Sequence, residues 1–399
     1  MLVLVGAYLP GYKFGGPVRS IENMVAAMGQ DFDFRIVTLN HDLGDKATLS
    51  GVVTDRWVRV GDADVMYLRS GLRGLIAMWN LLRSVEPSTT LYVNSLFARL
   101  FAMLPVIMVR LKLCRAHRLV LAPRGELALG ALRFKHVQKL LYLRISTRLN
   151  VYKGVTWHAS SDLEKDDIFR QFPLAEHFKV AGVIANLNSR AIPLVSATVT
   201  ESHLAGRAGS NDRPAKRPGR LRVVFVSRIS RKKNLLGALR ILERVRGDVS
   251  FDLYGPLEDP EYWEEIQALI AGLPGSIRVR YCGEVKHELI PAVFASYDVF
   301  FFPTFSENYG HVIFEALGAG CPVLISDQTP WRGLEAEGVG WDVPLSEPER
   351  FRELLQRCVD GDGEWHATLS RRAVTYAARY ASDRTVIDAN RELFQPTSI

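Results

Sequence analysis

Short apolar runs alternate with amphipathic segments along most of the chain. In the first half, LVLVGAYL (2–9), FRIVTL (34–39), TLYVNS (90–95) and RLVLAP (118–123) have the length and composition of buried strands. Intervening segments such as PVRSIENMVAAM (17–28) repeat apolar residues every three or four positions, which is typical of a helix. The alternation predicts a parallel sheet covered by helices on both faces.

This pattern stops at 198–220, a polar stretch rich in Gly and Pro, and then starts again. LRVVFVSR (221–228), VSFDLYG (249–255), SIRVRYCG (276–283), VFFFPT (299–304) and PVLISD (322–327) predict a second parallel sheet. We therefore predict a domain at 1–197, a linker at 198–220 and a second domain at 221–375. A helical segment at 376–399 is expected to pack back toward the first domain. Ligands of such sheets bind beyond the carboxyl ends of the strands, so we expect a site in a cleft between the domains.

Composition adds little to this picture but excludes several classes of protein. The 399 residues are 48% hydrophobic and 23% charged, as in globular proteins of about two domains. The four cysteines are far apart, which indicates neither a disulfide framework nor a zinc site and favours the cytoplasm. The first residues read as a strand and not as a signal peptide. Two Asp-x-Asp pairs, Asp31/Asp33 and Asp62/Asp64, are interpreted as surface turns, so no metal and no cofactor are expected.

The net charge of +7 is concentrated in one region. Residues 99–153 contain twelve Lys and Arg but a single acid, Glu126, and they include the apolar segment LFARLFAMLPVIMVRLKL (96–113). Its longest uncharged run is shorter than the roughly 20 residues that span a bilayer. The segment fits either peripheral contact with an anionic membrane or a core helix whose cations face water. Nucleic acid is not expected, because aromatic interleaving and known binding motifs are missing.

Two acids flank a predicted helix start in SENYGHVIFEALGAGCPVLISD (306–327). The first N–H groups of a helix lack internal partners and carry about half a positive charge, so the turn at Gly310 predicts an anion site. Glu307 precedes this turn, and Glu315 lies one turn after His311. Because acids repel phosphate, we expect them to flank it and hold sugar hydroxyl groups. A structural alternative is that Glu315 pairs with a basic neighbour and Glu307 caps the helix.

A second cluster lies in SRISRKKN (227–234), where Arg228 ends a strand and Lys233 precedes a helix. Two cations at this position suit phosphate oxygens, although a solvated basic loop has the same composition. Because both clusters follow strands of one sheet, they should converge at its edge. Together they favour a diphosphate.

With these motifs the chain resembles glycosyltransferase family 4, retaining enzymes that use nucleotide-diphosphate sugars. The resemblance covers nearly the whole chain and is most specific at 222–345. It implies the GT-B fold, an α/β architecture of two Rossmann-like doubly wound domains facing across a cleft. It also implies a nucleotide-sugar donor and a glycan acceptor, which the basic region suggests is lipid-linked, as in bacterial surface polysaccharide assembly at the inner face of the cytoplasmic membrane.

The same resemblance assigns roles to residues. Arg228, Lys233 and Glu307 are the catalytic candidates, because they would stabilise the leaving diphosphate and hold the donor sugar. Gly15 and Gly16 stand in GYKFGGPVRS (11–20), which resembles the family's glycine-rich loop that approaches the diphosphate. Gly255 and Val285 resemble the turns that contact the nucleobase. The remaining donor-binding candidates are Asn308, Tyr309, Gly310, His311, Val312 and Glu315. Asn234 stands where glycine is more usual, a change expected to be harmless because only backbone is needed there.

The sequence departs from the family pattern in one place, and two other enzyme classes have a related fold. Many relatives have a histidine where LAPRGEL (121–127) places Arg124 and Glu126, so these two either face the transferred sugar or acceptor or simply pair with each other. A nucleotide-sugar 2-epimerase of the same fold would bind the same donor without transferring it. A dehydrogenase is disfavoured, because GAGCPV (318–323) ends a helix where a dinucleotide motif begins one.

Overall fold

The computed structural model describes residues 1–11, 15–42, 44–45, 47–132, 136–185 and 216–395. The chain divides into two compact units, one of Met1–Ala185 with Asp383–Ile399 and one of Asn186–Ser382. Most of the predicted linker, 198–215, lies outside the described residues. The predicted boundary at residue 376 falls within a helix, Gly363–Ala381.

The first unit is built on an eight-stranded sheet in the order β3-β4-β2-β1-β5-β6-β7-β8. Its strands are β1 (Leu2–Leu4), β2 (Phe34–Leu39), β3 (Trp57–Val60), β4 (Ala63–Leu68), β5 (Thr90–Asn94), β6 (Arg118–Ala122), β7 (Thr156–Ala159) and β8 (His177–Val180). Its helices are α1 (Gly16–Met28), α2 (Leu72–Arg83), α3 (Leu104–Arg110), α4 (Leu129–Leu132), α5 (His136–Arg148) and α6 (Asp162–Gln171), and a π-helical turn (Arg99–Met103) precedes α3. The expected parallel, doubly covered sheet is confirmed for most of these strands.

The sheet is not wholly parallel, which corrects the prediction. β3 pairs antiparallel with β4, with Trp57 opposite Met66 and Val60 opposite Ala63. Gly61 turns the chain between them at a φ of +59°, a conformation that glycine adopts without strain. An edge strand of this kind needs no helical crossover, so the helix–strand alternation did not reveal it.

Alternate residues of the central strands pack on opposite faces of the first sheet. Leu2 and Leu4 join one buried cluster, whereas Val3 and Val5 join the other. The first cluster also receives the inward side chains of α2, α3, α5 and α6, and the second receives those of α1. Both faces of the sheet are therefore buried under helices, as is usual for a parallel sheet.

The carboxyl-terminal helix α14 (Arg384–Phe394) belongs to this first unit. Leu393 is buried in the cluster beneath α1, and the ring of Phe394 meets Tyr92 edge to face at 4.9 Å. Arg391 contributes an ion pair to Asp31 at 2.7 Å. The end of the chain is thus part of the first core.

The second unit is a six-stranded parallel sheet in the order β11-β10-β9-β12-β13-β14. Its strands are β9 (Arg220–Val226), β10 (Asp248–Tyr254), β11 (Ile277–Tyr281), β12 (Val299–Phe302), β13 (Val323–Ser326) and β14 (Gly340–Val343). Its helices are α7 (Leu235–Leu242), α8 (Pro260–Ala271), α9 (Ile290–Ala295), α10 (His311–Gly318), α11 (Leu334–Glu337), α12 (Pro348–Asp360) and α13 (Gly363–Ala381). Two short 3-10 helices span Arg231–Lys233 and His287–Leu289.

The order of these strands places the two predicted anion clusters side by side. β9 and β12 are neighbours in the sheet, with Val223 opposite Val299. The loops that follow them therefore leave the same edge, as the sequence predicts. In the described part of the chain, no helix has the length and apolar content needed to cross a bilayer.

Candidate functional site

The loop after β9 is shaped by a tight approach to β10. Gly255 has a φ of +134°, and a Cβ there would lie 2.0 Å from the carbonyl oxygen of Ser227. The backbone N–H of Ser227 donates to Tyr254 at 3.0 Å, and that of Ile229 donates to Pro256 at 2.8 Å. Gly255 thus positions the loop that carries Arg228. Its predicted contact with a nucleobase stays a prediction.

Asn234 links the two loops, and its side chain makes a contact that the sequence analysis did not expect. Its φ of +57° lies in the left-handed region, which asparagine tolerates better than most residues. Its side-chain amide donates to the carbonyl of Pro303 at 2.8 Å, just after β12. The backbone N–H of Phe305 also donates to Lys232 at 3.0 Å. Glycine at this position would keep the turn but lose the bond to Pro303.

Lys233 and Glu307 form a nearly buried ion pair between these two loops. The side chain of Lys233 is 9% exposed and that of Glu307 is 19% exposed, and the Lys233 ammonium donates to the carboxylate. The ammonium also lies 5.2 Å from the ring of Phe302, at the end of β12. An ammonium has three N–H groups, so donors remain for a phosphate oxygen.

Several cations stabilise the ionised form of Glu307. Burial alone would raise its pKa, but Lys233, Lys232 and Arg228 together outweigh burial and hold the pKa of Glu307 below its usual value. Arg228 also pairs with Glu258 at 2.8 Å, and both side chains are partly exposed. Arg228, Lys233 and Glu307 are therefore brought together as predicted. Lys232 was not singled out, although it is adjacent to Lys233 in sequence.

Helix α10 begins next to the Lys233–Glu307 pair. Gly310 adopts a φ of +80° at the amino end of the helix, and a Cβ there would lie 3.1 Å from Cγ of Glu307 and 2.8 Å from Cδ1 of Ile313. The N-cap residue is Gly310 itself, which has no side chain that could cap the helix. The positive end of the helix macrodipole therefore lies at this position. We call Arg228, Lys233, Glu307 and the amino end of α10 the candidate anion site.

Three residues form the accessible stripe of α10. His311, Val312 and Glu315 are partly exposed, whereas the rest of the helix up to Gly318 is buried. Glu315 therefore faces the same side as the helix start, as its spacing predicts. Nε2 of His287, in the loop after β11, lies 3.7 Å from the Glu315 carboxylate. The structural alternative thus holds in part for Glu315, but Glu307 pairs with Lys233 and does not cap the helix.

His287 is a residue that the sequence analysis missed. It follows Val285, the predicted nucleobase contact, by two residues and lies in the same loop. Val285 is partly exposed there. Because β11 belongs to the same sheet as β9 and β12, its carboxyl end was a signal that could have identified His287.

Tyr309 anchors the loop through its side chain. The ring is buried and packs against His311 and Trp331, with ring centroids 4.7 Å and 5.6 Å away. Nε1 of Trp331 donates to the Tyr309 carbonyl oxygen at 2.5 Å. Asn308 is partly exposed beside it. The aromatic packing fixes the backbone that leads into Gly310.

In the first unit, Gly15 and Gly16 begin α1. Gly15 has a φ of +69° and nothing within 4 Å of a Cβ position, so conformation and not space favours glycine there. Residues 12–14, the middle of the predicted glycine-rich loop, lie outside the described residues. The diphosphate contact of this loop therefore stays a prediction.

Arg124 and Glu126 bind different partners, so the suggested pairing between them is not what the structure has. The Arg124 guanidinium donates to Oδ1 of Asn94 at 3.0 and 2.9 Å and to the hydroxyl of Tyr92 at 2.7 Å. Glu126 accepts from the N–H of Leu96 at 2.6 Å and from the N–H of Phe97 at 3.2 Å. Burial nevertheless raises the pKa of Glu126. Glu126 holds the loop that leads from β5 to the π-helical turn, whereas Arg124 stands at the carboxyl ends of β5 and β6.

Arg124 is bonded to a buried, uncharged hydrogen-bond network formed by Tyr92 and His158. Tyr92 is hydrogen bonded to Nδ1 of His158 at 2.7 Å, and Nε2 of His158 contacts the carbonyl of Ala181 at 2.9 Å. Burial, together with the nearby charge of Arg124, lowers the pKa of His158 to about 3. The imidazole is therefore neutral at physiological pH. The side-chain nitrogen of Asn94 is buried and has no partner among the described residues.

The Asp-x-Asp pairs belong to the first unit, whereas the candidate anion site belongs to the second. Asp31 pairs with Arg391, as described above. Asp64 is on β4 and pairs with Arg59 at 3.6 Å, so its interpretation as a turn residue is wrong. Among the described residues, no group of three or more His, Cys, Asp or Glu side chains could hold a metal ion.

Comparisons with known proteins show what this chain is similar to. Residues 210–379 match the family model of glycosyl transferases group 1. A curated relative is 27% identical over 168 residues, which are 40% of this chain and 42% of its own length. It is the O-antigen chain mannosyltransferase B of Escherichia coli.

Solved structures match the whole chain at low sequence identity. Sucrose-phosphate synthase from Thermosynechococcus elongatus is 16% identical over 98% of this chain and 97% of its own, with a TM-score of 0.71. Anabaena HepE in complex with UDP-glucose is 17% identical over the same shares, with a TM-score of 0.67. WaaG, a glycosyltransferase of lipopolysaccharide biosynthesis, is 14% identical over 99% of this chain and all of its own, with a TM-score of 0.64. The fold is that of GT-B glycosyltransferases, and the match to the glycosyl transferases group 1 family model lies within the second unit.

Proposed function

We propose that this protein is a retaining, family 4-like glycosyltransferase that moves a sugar from a nucleotide-diphosphate sugar to a saccharide acceptor. The carrying observation is that Lys233 pairs with Glu307, with Arg228 close enough to stabilise the charge of Glu307, beside the amino end of α10. Cations next to the positive end of a helix suit a diphosphate. The acids on either side suit the hydroxyl groups at its two carbohydrate ends. The group 1 family match over this unit supports the same reading.

In this proposal the donor lies across the candidate anion site. The diphosphate contacts Lys233, Arg228 and the N–H of Val312, Glu307 holds the transferred sugar, and Glu315 holds the ribose. His287 lies 3.7 Å from the Glu315 carboxylate, at the end proposed for the ribose. Gly255 and Val285 lie on loops from the same sheet edge, where a nucleobase would follow the ribose.

Transfer breaks the bond between the anomeric carbon and the donor phosphate oxygen, while the acceptor oxygen bonds to the same face of the sugar. The leaving diphosphate takes the acceptor proton. Negative charge grows on the diphosphate, and the cations already in place stabilise it without reorganisation, each worth on the order of 10²–10³ in rate. Glu307 is engaged by Lys233 and is not proposed as a nucleophile. Metal independence is proposed because these cations supply the charge that a metal ion provides elsewhere.

The acceptor is proposed to be lipid-linked and to bind the first unit. The O-antigen mannosyltransferase among the relatives supports a bacterial surface polysaccharide as the product. Arg124 is held by two neutral side chains, Asn94 and Tyr92, and keeps its positive charge. We propose that it contacts the acceptor or the transferred sugar. Peripheral contact with the inner face of the cytoplasmic membrane accompanies such an acceptor.

The test starts with thermal unfolding in the presence of UDP-, GDP- and ADP-sugars. A donor at about 100 times its Kd stabilises the native state by about 2.7 kcal/mol, so one nucleotide series should raise Tm. That donor is then incubated in EDTA with and without a lipid-linked saccharide fraction. We expect sugar transfer with retained configuration only when the acceptor is present. An epimerised sugar formed from the donor alone would instead identify a nucleotide-sugar 2-epimerase.

A further inference from the structure

The first unit exposes an unusual amount of apolar surface on one of its two helical layers. On α2, Leu72, Leu75, Ile76 and Trp79 are exposed at helical spacing, and Leu72 is 71% exposed. Their neighbours Met78 and Leu82 are buried against the sheet. α2 is therefore apolar on both its inner and its outer side.

The same holds for α5. Val137, Leu141 and Ile145 follow one another at intervals of four residues, and Leu149 continues the row just beyond the helix. Val137 is 78% exposed and Leu149 is 65% exposed. Leu143 of this helix is buried in the cluster that also holds Met78 and Leu82. The outward side of α5 thus faces away from the sheet in the same direction as that of α2.

The segment around α3 lies in the same layer. Ile107, Leu111 and Leu113 are exposed, while Val106 and Met108 are buried in the shared cluster. We call the outward residues of α2, α3 and α5 the apolar face. α1, which packs on the opposite side of the sheet and is fully described, exposes no large apolar side chain.

Cations surround this face, and acids are nearly missing from it. Arg110, Lys112, Arg144 and Arg148 are exposed among its apolar residues, as are Arg73 and Arg83 of α2. The single acid of residues 99–153, Glu126, is buried on backbone N–H groups. The next helix, α6, exposes Leu163 and Phe169 but also Asp162 and Asp166, so it is not counted in the apolar face.

We propose that the apolar face docks on an anionic lipid bilayer, with its aliphatic side chains and Trp79 at the level of the headgroups and acyl chains. The idea rests on the membrane contact of the proposed function and adds which surface makes it. Aliphatic residues interleaved with arginine match a bilayer interface, because the arginine stems stay apolar while their heads reach lipid phosphates. A second copy of the chain would bring like charges together. Nucleic acid would leave the aliphatic side chains unpartnered.

The experiment is vesicle flotation of the full chain with phosphatidylcholine alone or in an equimolar mixture with phosphatidylglycerol. The test variant carries Val137→Gln, Leu141→Gln and Ile145→Gln. The control carries Val53→Gln and Val374→Gln, two exposed apolar positions outside the face. We expect wild type and control to float with the anionic vesicles only, less so at high salt, and the test variant to bind at least about tenfold more weakly.

Each result decides a different part of the proposal. If wild type floats but the test variant floats equally, the apolar face is wrong while membrane contact stands. If wild type does not float with anionic vesicles, membrane contact is also overturned. Neither result touches the donor site, which is followed separately by the Tm shift that the matching nucleotide-sugar produces in each variant. Equal Tm values without ligand show that the variants fold.

Discussion

Replacing Lys233 by Met separates the structural and chemical roles of the Lys233–Glu307 pair. Methionine keeps most of the aliphatic volume but removes the charge, so Glu307 keeps its carboxylate with only 19% exposure and without its bonded partner. Breaking a buried pair from one side costs about 3–5 kcal/mol. Because Glu307 retains some solvent and the charges of Lys232 and Arg228, we expect about 2–3 kcal/mol in the free energy of unfolding.

The loss of activity should exceed what instability explains. Lys233 is proposed to stabilise the negative charge of the departing diphosphate, so turnover of the variant should fall by a factor on the order of 10²–10³. The double variant Lys233→Met/Glu307→Gln removes the unpaired charge. It should recover most of the stability but none of the lost rate assigned to Lys233.

pH gives an independent check of the same pair. The pKa of Glu307 is lowered in the folded protein, so its contribution to stability is present above the usual value of 4.5 and is lost as pH falls through the lowered pKa. Without Lys233, burial raises that pKa relative to wild type, and protonation relieves the variant at a higher pH. The stability gap between wild type and Lys233→Met should therefore be widest near neutrality and narrow below about pH 4.5.

The measurements are urea unfolding at several pH values and transfer of labelled sugar from the matching donor. Arg231→Met is the matched control, because Arg231 lies in the same 3-10 turn but pairs with Glu265 at 2.6 Å on the surface. It should transfer sugar at close to the wild-type rate. Near-normal turnover in Lys233→Met, or recovery of turnover in the double variant, would refute the reasoning.

Four further substitutions, at three positions, test neighbouring parts of the proposal. Gly310→Ala forces an L residue to φ +80° against Glu307 Cγ, and we expect thermal unfolding to report a loss of about 1–2 kcal/mol together with weaker donor binding by calorimetry. Asn234→Gly should lose only the bond to Pro303, which lowers the free energy of unfolding by about 1 kcal/mol. Asn234→Ala should lower it further, because alanine is strained at the left-handed φ of +57°. Equal losses of the two variants in urea unfolding would contradict this. Arg124→Gln should slow transfer at least about tenfold while leaving the donor Kd unchanged, and a weakened donor Kd would remove Arg124 from the acceptor side.

Much of the second unit could be predicted from sequence because its signals are local. VFFFPT followed by SENYG contains the strand, the turn and the helix start that the structure has at β12, Gly310 and α10. The neighbouring position of β9 follows from the general rule that ligand loops leave one edge of a parallel sheet. The sequence therefore predicts that Arg228, Lys233 and Glu307 lie close together.

The parts that sequence missed depend on contacts between distant residues. The ion pair of Lys233 with Glu307 spans 74 residues, and no local pattern indicates that a supposed phosphate ligand also neutralises a carboxylate. The bond from Asn234 to Pro303 and the approach of His287 to Glu315 are of the same kind. These contacts arise only when separate loops meet, so periodicity carries no trace of them.

The first unit was less predictable for a related reason. β3 and β4 form a short antiparallel hairpin, and its alternation of polar and apolar residues is too brief to stand out from a loop. Arg124 and Glu126 are two residues apart, but the turn between them, with Arg124 at φ +56° and Gly125 at φ +74°, sends their side chains to different partners. Spacing alone therefore suggested a pair that does not form.

The most direct test of the central claim is a crystal structure of the protein with the nucleoside diphosphate that raises its Tm. The account predicts diphosphate oxygens within hydrogen-bonding distance of Lys233 Nζ, of the Arg228 guanidinium and of the backbone N–H of Val312, with the ribose hydroxyl groups on Glu315. A diphosphate bound elsewhere, or bound here with Glu315 turned away from the ribose, would contradict it.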